Sequence, residues 1–131
     1  VTERIKVLNP AKDNLVLDRE KVLETLGVPP EKVVDVMALR GDSIDNIPGA
    51  PGIGDKGSVE LIQQFGSVEA ALDRTAEVKR KTYRESLENN RDSVLLSKEL
   101  ATIDCGVPLP LDLDGMRTQP YDLAACRQLF T

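Results

Sequence analysis

The residues that could do chemistry concentrate in one stretch: Gly41-Asp42-Ser43-Ile44-Asp45-Asn46-Ile47-Pro48-Gly49-Ala50-Pro51-Gly52-Ile53-Gly54-Asp55-Lys56. Its glycines let the backbone turn tightly and approach a ligand with no β-carbon in the way. A helix is predicted to open near Gly54 or Asp55, so its first amides and positive dipole end face outward. Lys56 adds a mobile cation on that turn. Gly49, Gly52, Gly54 and Lys56 thus make an anion site suited to phosphate, one that reads no base sequence because every nucleotide carries the same group. Ile53 is expected to plug the hairpin into the core. Carbonyls of so tight a loop can also converge on a monovalent cation. The competing reading is a corner between two helices, with Gly and Pro there for geometry only. The conjunction of Pro-Gly, Gly-Ile-Gly and Lys between amphipathic helices favours phosphate. No GxxxxGK[ST] is present and no strand leads in, so this is not a P-loop.

Two carboxylates, Asp42 and Asp45, stand just before the hairpin. If the preceding helical path continued for one turn, both would lie on one side. Beside a phosphate they would suit Mg²⁺, which takes a few carboxylates, waters and phosphate oxygens. Asp and Asn are equally at home as turn formers and helix caps, and the residues alone leave both readings open. Two carboxylates are too few for two-metal phosphodiester hydrolysis. Asp112 and Asp114 flank Leu113 in an irregular stretch and read as solvated turn residues. A third group, Lys79, Arg80, Lys81 and Arg84, puts four positive charges in six residues on a predicted helix face. A solvated face and a phosphate-contacting face are both open for it.

The elements that must position these groups are mostly helices. Ile5, Val7 and Leu8, then Leu15-Val16-Leu17, read as a short strand pair around an Asn-Pro turn. Asp18 caps a helix bearing Val22, Leu23 and Leu26 on one face, and Gly27 stops it. Pro29-Pro30 opens the next, with Val33, Val34, Met37 and Ala38 at helical spacing up to Gly41. After the hairpin come a helix ending near Gly66, a short one capped by Ser67, one from Ala76 to about Asn90, and one from Asp92 to about Leu100. Ala101-Thr102-Ile103 is expected to be extended and 106–115 irregular. Asp122 caps a last helix, with Leu123, Cys126 and Leu129 or Phe130 turned inward. The fold class is mostly α: one small domain over 1–131, built around a helix–hairpin–helix core at about 30–75.

Composition narrows the function classes. The 131 residues carry no histidine, which excludes a His general base, a Ser-His-Asp triad and a His-based zinc site within the chain. Cys105 and Cys126 lack CxxC spacing and read as reduced thiols. Aromatics are 3%, too few for base-stacking platforms. The formal charge of -5 argues against a chain that coats nucleic acid through bulk positive charge. Residues 48–98 nonetheless carry eight charges of each sign, whereas 1–47 carry seven positive against nine negative and 99–131 two against five. No apolar run approaches the ~20 residues of a membrane span. The chain opens on Val1 and almost at once on a strand, so a piece of a longer protein is expected.

The stretch from Ala38 to Gly54 resembles the helix–three-turn–helix segment of the bacterial 5′-nuclease family, above all the 5′→3′ exonuclease region of DNA polymerase I. Leu26-Gly27-Val28-Pro29-Pro30, Phe65-Gly66-Ser67-Val68-Glu69, Leu96 to Ile103 and Val107-Pro108-Leu109 are also similar to it. The resemblance covers nearly the whole chain, most sharply Gly27 to Pro108. It implies Asp42 and Asp45 as metal ligands, with Mg²⁺ or Mn²⁺ in the parent enzyme. It implies that the hairpin Gly49 to Gly54 grips duplex backbone and holds K⁺. The implied DNA-binding residues are Gly49, Gly52, Ile53, Gly54, Lys56 and Ser58, with Lys79, Arg80, Lys81 and Arg84 as secondary contacts. Gly57-Ser58 departs from the family, which commonly has a small β-branched or hydroxyl residue and then Ala. Gly57 is expected to loosen the helix start by up to ~1 kcal/mol relative to Ala. The implied partners are double-stranded, nicked or flap DNA, together with the N-terminal nuclease half and polymerase region of the parent. The fragment is expected to be monomeric, to lie with the bacterial nucleoid in the cytoplasm, away from membranes, and not to cleave by itself. The alternative is a helical protein–protein interaction module with a purely structural hairpin.

Overall fold

The structure is a computed structural model that describes residues 1–118 and 120–130. It opens with β1 (Val7–Asn9) and β2 (Leu15–Leu17), antiparallel with Leu8 opposite Val16. Asp13 and Asn14 turn the chain between them at φ 54 and 55, a left-handed conformation these side chains tolerate. The Asp18 carboxylate accepts from the Lys21 amide at 2.9 Å and starts α1 (Arg19–Leu26), which Gly27 ends. Of the expected inward face only Val22 is buried. Leu23 and Leu26 remain about half exposed.

A single 3₁₀ turn at Pro30–Lys32 leads into α2 (Val33–Arg40), the central helix, packed against α3 (Asp55–Phe65) and α6 (Arg91–Ala101). α4 (Val68–Asp73) is capped by Ser67, whose Oγ accepts from the Ala70 amide. Leu39, Ile53, Leu61, Val68, Leu87 and Val94 are all at most 4% exposed and join these helices in one aliphatic core. Asp35 is also inside. Its Oδ1 accepts from the Val68 amide at 3.1 Å and from Lys98 Nζ at 2.7 Å, and Lys98 also reaches Glu69 at 2.7 Å.

Three expectations about elements change. The helix predicted from Ala76 begins five residues later, as α5 (Lys81–Asn89). A 3₁₀ turn at Thr75–Glu77 ends on Val78, which adopts an extended backbone and is buried. Anchoring that side chain in the core interrupts the helical path. Ala101 belongs to α6, so the extended segment starts at Thr102. Asp122 caps α7 (Leu123–Leu129) through the Ala125 amide, but Leu123, Leu129 and Phe130 are exposed, not inward. Cys105 and Cys126 are free thiols. Among the described residues no helix is long and apolar enough to cross a membrane.

Candidate nucleic-acid interface

The site is built outward from the end of α2. Gly41 takes φ 75, and a β-carbon there would stand 2.7 Å from the Ile47 carbonyl oxygen, so only glycine lets the chain fold back. A tight loop follows, closed by Asp42 and Ile47 exchanging backbone hydrogen bonds at 2.9 and 2.8 Å. The Asp42 carboxylate turns into this loop, accepting from the Ile44 amide at 2.9 Å and more weakly from that of Asp45 at 3.4 Å. The helical path therefore stops at Arg40, and Asp42 and Asp45 do not share a helix face. Asp42 faces a shallow polar hollow beside Arg40, Asn46 and Asp55, while Asp45 stands outside it. Among the described residues no three His, Cys, Asp or Glu side chains are grouped to hold a metal ion. Asp42 and Asp45 by themselves fall short of a complete Mg²⁺ or Mn²⁺ site.

In the hairpin the glycines divide their work. Gly49 is buried at φ 68, where a β-carbon would lie 2.5 Å from the Gly41 nitrogen, so it allows two backbones to touch. Gly52, at φ 81, and Gly54, in an extended conformation, would each project a β-carbon into open space. Their exposed backbone is what a ligand could approach. Gly54 is the N-cap of α3 and carries no side chain to cap it, so the first amides of α3 are left to an outside acceptor. Asp55, at the first helical position, would repel an anion, but Arg40 Nη1 pairs with its carboxylate at 3.1 Å. Lys56 is exposed, with no ion pair among the described residues.

Two residues expected at the DNA surface are inside. Ile53 is 2% exposed and its side chain sits in the core cluster, which matches its expected role as a plug. Ser58 is fully buried, with its hydroxyl donating to the Asp55 carbonyl at 2.9 Å. It tightens the first turn of α3 and presents nothing outward.

The basic run is dispersed. Lys79 and Arg80 precede α5 rather than lying on its face. Lys81 pairs with Glu85 at 3.6 Å, and Arg84 reaches back to the Val78 carbonyl at 3.5 Å. Arg80 donates to the Tyr83 hydroxyl at 2.8 Å.

Sequence reasoning missed the groups that brace the hairpin from behind. Ser97, fully buried on α6, accepts from the Gly49 amide at 2.9 Å and donates to the Ser93 carbonyl at 2.7 Å. Ser86 on α5 donates to the Pro51 carbonyl at 2.7 Å. Arg40 was also missed as the cation that neutralises Asp55. No local signal marks these residues, since each contact except that of Ser97 with Ser93 joins positions at least fifteen apart in the chain.

The chain can now be set beside known proteins. The family described as 5′-3′ exonuclease, C-terminal SAM fold, matches residues 28–124. A DNA polymerase I of Rhizobium leguminosarum is 43% identical over 101 residues, which cover 77% of this chain and 10% of that protein. The DNA polymerase I of Bacillus subtilis (strain 168) is 44% identical over 103 residues, 79% of this chain and 12% of its own length. That of Bacillus caldotenax is 44% identical over 111 residues, 85% and 13%. The chain spans little more than a tenth of these curated relatives. A match from just before the turn that leads into α2 to the first residues of α7, on a helical fold with a glycine hairpin at its centre, carries the assignment: the chain belongs to the 5′-3′ exonuclease C-terminal SAM-fold family, of the kind found in DNA polymerase I.

Proposed function

We propose that this chain grips the sugar–phosphate backbone of double-stranded, nicked or flap DNA, without reading bases, as the DNA-holding part of a 5′→3′ exonuclease that trims 5′ ends in replication and repair. The observation that carries this reading is the open start of α3. Its amides lack a side-chain cap, Gly52 and Gly54 leave the backbone bare, and Arg40 offsets Asp55. Lys56 supplies an unpaired cation. An oriented set of amides with a cation is a phosphate site. Gly49 shapes it, Gly52, Gly54 and Lys56 touch the strand, and Lys79, Arg80 and Lys81 lie along its continuation. Residues 1–131 act as one unit, with 30–75 as the hairpin core, in bacterial cells alongside the nucleoid.

Asp42 and Asp45 serve as donors to a Mg²⁺ or Mn²⁺ whose other ligands come from elsewhere in a longer nuclease chain. A bound divalent ion supplies charge neutralisation at the scissile phosphate and an activated water. Lacking those ligands, the isolated chain holds DNA and does not cleave it. A K⁺ at the hairpin would be held by backbone carbonyls between Gly49 and Gly54.

A salt titration of binding to a nicked duplex tests this reading. The slope of log K against log salt falls by about 0.9 per phosphate neutralised. Lys56→Ala should reduce its magnitude by roughly one, uniformly across sequences. Salt-dependent binding that Lys56→Ala leaves untouched, or no binding at all, would favour a helical protein–protein module instead.

A further inference from the structure

Gly57 meets Tyr83, whose ring packs against the edge of the core. A β-carbon on Gly57 would stand 2.5 Å from the Tyr83 hydroxyl oxygen and 2.6 Å from the ring carbon bearing it. The end of the tyrosine therefore fills the notch that the missing side chain leaves in the first turn of α3. The same hydroxyl accepts from Arg80 Nη1 at 2.8 Å, and the Arg80 guanidinium lies 4.3 Å from the ring centroid. Arg80 is exposed and pairs with no carboxylate among the described residues. Its plane is held by the ring while its charge is left uncompensated and most of its five donors are unused. Three residues on, Ser86 fastens the same helix to Pro51 of the hairpin. One face of α5 is thus registered on both the hairpin and the start of α3. Lys56, the residue before Gly57, lines the cleft beside Val36, Met37 and Arg40. Two cations are thus brought to the first turn of α3, Lys56 by its place in the chain and Arg80 through Tyr83.

We propose that Tyr83, seated in the notch of Gly57, is a positioning residue that presents Arg80 as a second phosphodiester contact beside the one taken by the hairpin. This rests on the DNA-backbone reading above. A guanidinium already oriented loses less side-chain freedom on binding than a free one, so the contact gains from being held. The departure at Gly57 then has a purpose, since any larger residue would displace the ring.

The test is binding of the 131-residue chain to a nicked duplex, titrated with salt, for Arg80→Ala, Tyr83→Phe, the double variant and Lys56→Ala. Tyr83→Phe keeps the ring and removes only the hydroxyl. Arg80→Ala should cut the salt slope by about one and weaken binding roughly three- to tenfold at low salt. Tyr83→Phe should weaken binding about two- to threefold when Arg80 is present and have no effect when it is Ala, the coupling expected of a residue that acts through another. If Lys56→Ala lowers the slope but Arg80→Ala does not, the second contact is refuted while the hairpin reading stands. If Tyr83→Phe acts equally with and without Arg80, its role is packing alone and the positioning proposal fails. If the unaltered chain shows no salt-dependent binding, the hairpin reading itself has failed.

Discussion

At the residue scale, glycines in this chain do unlike things, and substitutions separate them. Gly54 is the cleanest probe because its backbone is extended and a β-carbon there meets nothing. Gly54→Ser should cap α3 and change stability by only a few tenths of a kcal/mol, in the favourable direction. The new hydroxyl would occupy the amides that phosphate needs, so DNA affinity should fall while the urea midpoint holds or rises. A parallel change in both would contradict an anion site at α3. Gly57 is the reverse case. Helix propensity predicts that Gly57→Ala stabilises by up to ~1 kcal/mol. The 2.5 Å approach to Tyr83 predicts the opposite sign, a small loss because only the far end of that partly buried side chain must move. Pairing it with Tyr83→Leu should restore stability by removing the obstructing ring, and thermal melts of the three variants decide between the signs.

At the scale of elements, the hairpin keeps its shape because α5 and α6 hold it from behind. Ser97→Ala would leave the buried Gly49 amide without an acceptor, a loss of about 1–3 kcal/mol. Faster hydrogen exchange at Gly49 than at Leu61 would locate the damage in the hairpin rather than the core. A second brace joins α2, α4 and α6 through Asp35, Lys98 and Glu69. The hydrogen bond from Lys98 holds the Glu69 carboxyl below its ordinary range. Burial works against the charge of Lys98, but hydrogen bonds to Asp35 and Glu69 outweigh it and raise its pKa. The depressed carboxyl contributes stability above its unfolded value near 4.5, lost as pH falls through the lower folded value. The raised ammonium contributes below 10.5, and that part is lost as pH climbs through the higher folded value. Glu69→Gln should therefore flatten the acid limb of a urea-midpoint profile. Lys98→Met should cost more, about 3 kcal/mol near neutrality, because Asp35 would be left charged and buried with only the Val68 amide.

At the scale of the whole molecule, a charge of -5 and a DNA-holding role are compatible only if the grip is local. In the proposed reading, the amides of α3 with Lys56 and Arg80 would make such a grip. Binding by the isolated chain should therefore be weak and sharply salt-dependent, which the nicked-duplex titration measures. Much of this was legible in the residues. The caps at Asp18, Ser67 and Asp122, the stop at Gly27 and the strand pair follow from local chemistry, which a single sequence carries. The start of α5 was not legible, because burial of Val78 interrupts a helix that local propensity would begin earlier. Leu23, Leu26 and the apolar residues of α7 show that spacing names a face but not whether anything covers it.

The sequence by itself determined the helical class, the family resemblance and the glycine hairpin, since these rest on backbone freedom and charge within a few neighbouring residues. Only the tertiary structure decided that Ser58 points inward, that the Asp42 carboxylate turns into its own loop, and that Arg40 pairs with Asp55. It likewise decided that Ser97 and Ser86 brace the hairpin and that Tyr83 claims the space at Gly57. Most of these are contacts between residues far apart in the chain, and the rest depend on how the chain packs. Their partners are chosen by how helices pack, which no local pattern encodes.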